Sequence, residues 1–240
     1  MSVISVKSNF ADYSVFYMVN TSTNILYTWG KNDKGGAVPF EQWSNVPNGV
    51  RINVKDAIIS SGNATAYIHT NGQIKTINNW GNSGWGGYSE FTAPTSNTGF
   101  EKLYEAGLGL MARKADNTFH GWGSYVNNTN FLAAINNKKT LFFDVASNRK
   151  GAALLFNDGT VISTGSNNNL KKGYSGYNSI TGVSQLFASY NAFAALKTNG
   201  TIIFWGDSYD IGTGSANSAA NISKVYSSTH AVVVITNDNK

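Results

Sequence analysis

The sequence predicts an all-β fold, a single β-propeller of about six blades spanning residues 1–240. Three observations predict it: a repeat of roughly forty residues, an Asn-Gly or Asp-Gly turn signal at one place in several copies, and Trp-Gly closing most of them.

The clearest copy runs from 183 to 206, VSQLFASYNAFAALKTNGTIIFWG. Residues 55–72, 100–123, 142–165 and 6–30 align with it, and a last copy from Ile222 stops where its turn belongs. Units starting near 6, 55, 100, 142, 183 and 222 are spaced by 49, 45, 42, 41 and 39 residues, a constant core with variable loops. Each copy opens on an alternating run such as Val183, Leu186, Phe187 and Ala188. A small-residue run follows, Ala192 to Leu196, and its crowding predicts the innermost strand.

A two-residue hairpin turn is expected next, at Asn71-Gly72, Asp158-Gly159 and Asn199-Gly200. A β-branched strand then ends in the structural pairs Trp29-Gly30, Trp80-Gly81, Trp122-Gly123 and Trp205-Gly206, whose indoles are expected to wedge between blades. No long window shows apolar spacing at 3.6 residues, so helices are not expected.

Six such units cannot each bury a face alone, and radial packing leaves only short, protected edges. The sixth unit ends at Lys240 before its third strand, and Met1–Val6 are expected to supply that strand and close the ring. The alternative stays open: residues 1–8 are the first strand of blade one. A seventh blade is disfavoured.

Composition narrows the function. Only 13% of residues are charged, so the surface is largely Asn, Ser, Thr and Gly. The chain has no cysteine, which removes disulfides, thiolate nucleophiles and cysteine-ligated metals. Its net charge of +5 comes from scattered basic residues, the densest being Lys138–Lys139 and Lys171–Lys172, so specific nucleic-acid binding is not expected. The N-terminus lacks the pattern of a signal peptide, and no apolar run is long enough to span a membrane. An extracellular or cell-surface location is expected, with a cytoplasmic one open.

The pattern A-x-A-A-L-K-x-N/D-G-T/S-V/I-x-x-W-G resembles the repeat of the regulator of chromosome condensation family over nearly the whole chain. The resemblance is closest to bacterial versions, such as adhesin-like repeat arrays and the fold of β-lactamase inhibitor protein II. Eukaryotic members usually carry more charge, a longer repeat and seven blades, and this chain departs on all three. The resemblance implies a propeller that recognises partners through loop faces, and no reaction.

Catalytic and metal chemistry find little support in the residues. His69, His120 and His230 fall at different places in the repeat and show no ligand spacing. Asp116 and Asp158 belong to turns, and Asp33, Asp207 and Asp210 follow Trp-Gly. The Gly-rich stretch 81–87 has no lysine or helix start after it, so it reads as turn chemistry and not a phosphate loop. No enzyme activity, cofactor or metal is expected.

The loops after the third strand vary, yet most carry their own aromatics among Asn, Asp and Ser. Trp85, Tyr88, Tyr125, Tyr174, Tyr177, Asp207 and Tyr209 are the candidate ligand-binding residues. Their unequal offsets from Trp-Gly argue against one equivalent sugar site per blade. One composite face binding a glycan or protein surface on another cell is expected, lectin-like or adhesin-like. The alternative is an inhibitor or effector propeller that caps a target enzyme.

Overall fold

The computed structural model describes residues 4–8, 15–30, 50–59, 65–77, 98–107, 109–123, 125–206, 219–228 and 231–237. The chain divides into two compact units, Met1–Ser124 and Tyr125–Lys240. In the first, sheet 1 holds β1 (Ile4–Ser8), β2 (Val15–Asn20), β3 (Ile25–Gly30) and the short β4 (Val50–Arg51), in that order. Sheet 2 holds β5 (Val54–Ile59), β6 (Thr65–His69) and β7 (Ile74–Ile77), and sheet 3 holds β8 (Phe100–Glu105), β9 (Gly109–Lys114) and β10 (Phe119–Gly123). In the second unit, helix α1 (Thr129–Asn137) precedes sheet 4, made of β11 (Phe142–Asn148), β12 (Gly151–Phe156) and β13 (Val161–Gly165). Sheet 5 holds β14 (Val183–Ala188), β15 (Ala192–Lys197) and β16 (Ile202–Gly206), and sheet 6 holds β17 (Ile222–Ser227) and β18 (Val232–Thr236).

The small-residue run is the middle strand of its sheet, paired on both edges, and not an innermost edge strand. Its size limit comes from both faces at once. Phe193 and Ala195 of β15 pack in a core shared with Ala153 and Leu155 of β12, whereas Ala194 packs with Ile222 of β17. All of β12 is buried.

Ile4–Ser8 pairs antiparallel with Val15–Asn20, from Ile4 opposite Asn20 to Ser8 opposite Phe16. These residues are therefore the first strand of sheet 1, correcting the expectation that they complete the sixth sheet. A hairpin partner a few residues away costs far less chain entropy than one at the other end of the sequence.

The turn between the second and third strands is a three-residue loop rather than the expected two. Backbone N–H groups of His69, Lys114, Phe156 and Lys197 donate to the carbonyls of Gln73, Thr118, Thr160 and Thr201. The third loop residue donates back to the last residue of the incoming strand, as the Gly200 N–H does to Lys197 O at 2.9 Å. That is a type I turn followed by a left-handed residue. The preceding Asx side chain clamps it: Asn199 Oδ1 accepts from the Thr201 N–H at 3.1 Å and hydroxyl at 2.7 Å, and Asp158 Oδ1 accepts likewise from Thr160.

The left-handed residue also reaches the next sheet. Its carbonyl accepts the first N–H of the following sheet: Asn24 from Val54 at 2.8 Å, Gly72 from Phe100 at 3.1 Å, Gly159 from Val183 at 3.0 Å, and Gly200 from Ile222 at 3.1 Å. The residue before each of those strands accepts from the turn of its own sheet, as when Gly182 O accepts from Thr198 N at 2.8 Å. Every first strand from sheet 2 onward then bulges at its second residue, at Lys55, Glu101, Phe143, Ser184 and Ser223.

Helix α1 was not expected. Its nine residues carry the apolar pair Phe131 and Ile135 on one face, and Asn128 caps it by accepting from the Phe131 N–H at 3.0 Å. The stretch is too short for a window of helical periodicity to stand out.

Gly72 tests the sheet-to-sheet link. Its φ is +80°, and a Cβ there would meet the Gly99 backbone nitrogen at 2.9 Å, whereas Gly99, at φ +78°, has nothing within 4 Å. Gly72→Ala is expected to lower the unfolding free energy by about 2–3 kcal/mol and Gly99→Ala by about 1 kcal/mol. Urea denaturation of the two variants checks the order, and equal effects would show that the close approach does not matter.

Candidate functional site

The Trp-Gly position sets where the variable loops leave the sheets. Trp122 lies opposite Leu110 and Trp205 opposite Phe193 in the strand ladders, and both indoles are 5% exposed. Trp122 packs with Ala66 and Ile68 of sheet 2 and Phe100, Leu103 and Ala112 of its own sheet. Trp205 packs with Ala153, Leu155 and Val161 of sheet 4, so both wedge between consecutive sheets as expected. The Trp205 Nε1–H donates to Ser163 Oγ at 3.1 Å, and that hydroxyl donates to Leu170 O at 2.6 Å. Trp122 Nε1 is buried without a hydrogen-bond partner among the described residues.

The other copies depart from this pattern. Trp29, opposite Phe16, is 43% exposed and is not a buried wedge, so the expectation does not hold there. In sheet 2 the equivalent ladder position, opposite Thr65, belongs to Ile77, and Trp80-Gly81 lies outside the described residues. In sheet 4 it belongs to Thr164, opposite Ala152. Thr164 is buried and its hydroxyl donates to Tyr125 O at 2.7 Å, while α1 packs against β13. A helix and a loop fill the room that an indole takes elsewhere.

That substitution brings Tyr125, Tyr174 and Tyr177 into one region. The loop after β13 folds back as a pseudo-strand: Ser163 and Lys172 exchange both backbone hydrogen bonds at 3.0 Å, and the Val161 N–H donates to Ile180 O at 3.0 Å. Gly173 permits the fold-back, since its φ is +78° and a Cβ would sit 2.3 Å from Val161 O. Tyr174 is buried beneath the loop, its ring 5.9 Å from Phe131 of α1 and 5.0 Å from Tyr177. Burial holds its phenol above the ordinary value, with the Thr164 hydroxyl acting the other way. Tyr174 therefore supports the patch from below.

Tyr177 is half-buried, and its hydroxyl donates to Asn168 Oδ1 at 3.1 Å. Lys171 Nζ donates to the same oxygen at 3.2 Å and lies 5.5 Å from the Tyr177 ring centroid. The result is one aromatic ring, one amide and one cation held together on a loop fixed to β13. Asn168 was not singled out from the sequence, and Lys171 was noted only as part of a basic pair, not as a site residue. Their signal was the run Asn167–Leu170, where Asn167 Oδ1 accepts from the Leu170 N–H at 3.2 Å and turns the chain. Trp85, Tyr88, Asp207 and Tyr209 lie outside the described residues.

The titratable groups serve the scaffold. His69 Nδ1 accepts from the Asn71 N–H at 3.3 Å in the turn, and His230 lies outside the described residues. His120 stands edge-on to Phe100 with centroids 5.4 Å apart, and burial, helped by Lys114, holds its pKa below the ordinary 6.5. Asp158 is held down to about 2 by Lys138 and Thr160. Among the described residues no three His, Cys, Asp or Glu side chains come together.

No protein-family model matches the sequence, and no curated protein is similar to it at a significant level. Solved structures are similar in fold. The yeast RCC1 (Prp20) structure with Kap60 matches at a TM-score of 0.54 and 13% identity, over 98% of this chain and 68% of that one. Prp20p from Saccharomyces cerevisiae, a structure described together with its binding to Gsp1p and histones, matches at 0.50 and 13% identity, over 80% of this chain and 56% of that one. Human WBSCR16 matches at 0.46 and 17% identity, over 80% of this chain and 59% of that one. The matched regions thus span less than two thirds of the human protein and of Prp20p alone. The fold is an all-β propeller similar to that of yeast RCC1.

Two measurements test this local structure. Ser163→Ala strands the buried Trp205 Nε1–H and the Leu170 carbonyl, and is expected to cost about 1–3 kcal/mol in denaturant unfolding. His120 is harder to protonate in the folded chain than in the unfolded one. As pH falls below the unfolded value of 6.5, the unfolded state gains protons first, so stability is expected to decline toward the folded pKa. His120→Gln is expected to flatten that decline in a series of melting curves between about pH 7 and 5.

Proposed function

We propose that this chain is a non-catalytic recognition module that binds a glycan or protein surface on another cell, in the manner of a lectin or adhesin. The observation that carries the reading is the Tyr177 ring with Asn168 and Lys171 fixed to its edge. A flat apolar ring bordered by an amide and a cation offers stacking and directional hydrogen bonds together, which suits a sugar face or the centre of a protein contact. The loop's backbone is locked to β13, so little ordering entropy opposes binding.

The low charge of the surface accords with an extracellular or cell-surface location, and the repeat's resemblance to bacterial versions suits a bacterial setting. Propellers of similar fold include yeast RCC1, described with Kap60 bound, which supports a protein-binding use. A second reading, a propeller that caps a target enzyme, draws on Phe143, which is 61% exposed on the first strand of sheet 4. An exposed aromatic of that size suits a protein partner better than a saccharide.

A glycan array on the purified chain, run in parallel with Tyr177→Ala, is the test. Binding to a saccharide that weakens about tenfold or more in the variant, with an unchanged melting temperature, is the expected result. A blank array would remove the glycan reading, and binding indifferent to Tyr177→Ala would remove this patch.

A further inference from the structure

The side chains around Tyr177 are rich in hydrogen-bond donors and short of acceptors. An ammonium only donates, so the Asn168 atom that Lys171 Nζ meets at 3.2 Å is the amide oxygen, and the amide's orientation is fixed. The Tyr177 hydroxyl gives its one proton to the same oxygen at 3.1 Å. Both lone pairs of Asn168 Oδ1 are thereby occupied. What is left for a ligand is the NH2 group of the exposed Asn168 and two further N–H groups of the ammonium. Of these three side chains, only the phenol oxygen still accepts.

Charge points the same way. The sequence has no Asp or Glu from Gly159 through Gly206, and Lys171 and Lys172 stand side by side within that stretch. Lys172 exchanges both backbone hydrogen bonds with Ser163, which fixes the lysine pair to β13. Asp158, the last carboxylate before the stretch, is bonded to Lys138 and Thr160. Asp144 lies on β11, three strand spacings from the Lys172 segment, or roughly 14 Å. That exceeds the screening length of about 8 Å at physiological ionic strength. No carboxylate of sheet 4 therefore neutralises the pair.

We propose, resting on the recognition reading above, that the patch takes a saccharide bearing an anionic group, a carboxylate or a sulfate. Such a group only accepts hydrogen bonds, and so matches a border made of donors. A neutral sugar hydroxyl brings a proton as well, for which the Tyr177 oxygen is the single acceptor among the three side chains. Lys171 Nζ stands 5.5 Å from the Tyr177 ring centroid, near enough for one sugar unit to stack on the ring and reach the ammonium. A nucleic-acid strand also offers flat rings and anions. It binds through a row of phosphate contacts, however, and this loop supplies one pair of adjacent lysines instead of a basic track.

The test is an array of sialylated, uronate-containing and sulfated saccharides, each printed beside its desialylated, methyl-esterified or desulfated counterpart, with a single-stranded oligonucleotide alongside. It is read with the full chain and with Lys171→Gln, Lys171→Arg and Tyr177→Ala. Binding confined to acidic members is the expected result, weakened about tenfold or more by Lys171→Gln at an unchanged melting temperature and largely kept by Lys171→Arg. Which acidic members bind tells carboxylate from sulfate. Equal binding to the neutral counterparts, or indifference to Lys171→Gln, would overturn the proposal. If Tyr177→Ala still weakens that binding, the recognition patch stands and only its preference for an anion is lost. A blank array removes both readings, and an oligonucleotide bound more tightly than any saccharide overturns this one in favour of nucleic acid.

Discussion

The carbonyl of the left-handed turn residue, accepting the first N–H of the next sheet, is the constraint on which the rest of each unit depends. It joins successive sheets by backbone alone, at Asn24, Gly72, Gly159 and Gly200, and so does not depend on matching side chains. Once that bond is set, the two hairpins meet at a fixed angle and their inner faces must pack. The link sits at the hairpin end of each sheet, which leaves the loops after the third strands outside its control. Those loops differ in length and composition while the strands keep step.

The indole between sheets is the less conserved half of the device. Trp205 has its nitrogen satisfied by Ser163, Trp122 has a buried nitrogen with no partner among the described residues, and Thr164 hands the same volume to α1. Packing volume is what each junction requires, and the chain meets it in more than one way. Hydrogen bonding to the indole is optional. The sheet 4 solution also creates the aromatic patch, because the loop that packs on α1 is the loop that displays Tyr177.

Strand identity and order were legible because a two-residue period and Asn-Gly or Asp-Gly signals survive in a single sequence. The loop length was not. Asn-Gly marks a hairpin without saying whether Gly is the second residue of a tight turn or the left-handed residue closing a type I turn. The position of Ile4–Ser8 was open because strand edges look alike in sequence, and a local hairpin competes with distant closure. Of the candidate site, Tyr125, Tyr174 and Tyr177 could be picked out, but their division of labour could not. Tyr174 lies below and Tyr177 above because Gly173 turns the loop back on β13. Asn168 carried only the weak signal of the Asn167–Leu170 turn, in a chain rich in asparagine.

The bulge at the second residue of each first strand from sheet 2 onward frees one side chain per sheet from the alternation of faces. What occupies it differs: Lys55 and Glu101 form an ion pair across sheets 2 and 3, Ser184 and Ser223 donate to carbonyls of their own middle strands at 3.1 and 2.9 Å, and Phe143 stands in solvent. Near-identical repeats are exposed to mispairing during folding, since any hairpin could dock on any other. A position exempt from core packing works there as an address label. Opposite charges at the bulges of sheets 2 and 3 favour that adjacency over alternatives the backbone alone would accept equally.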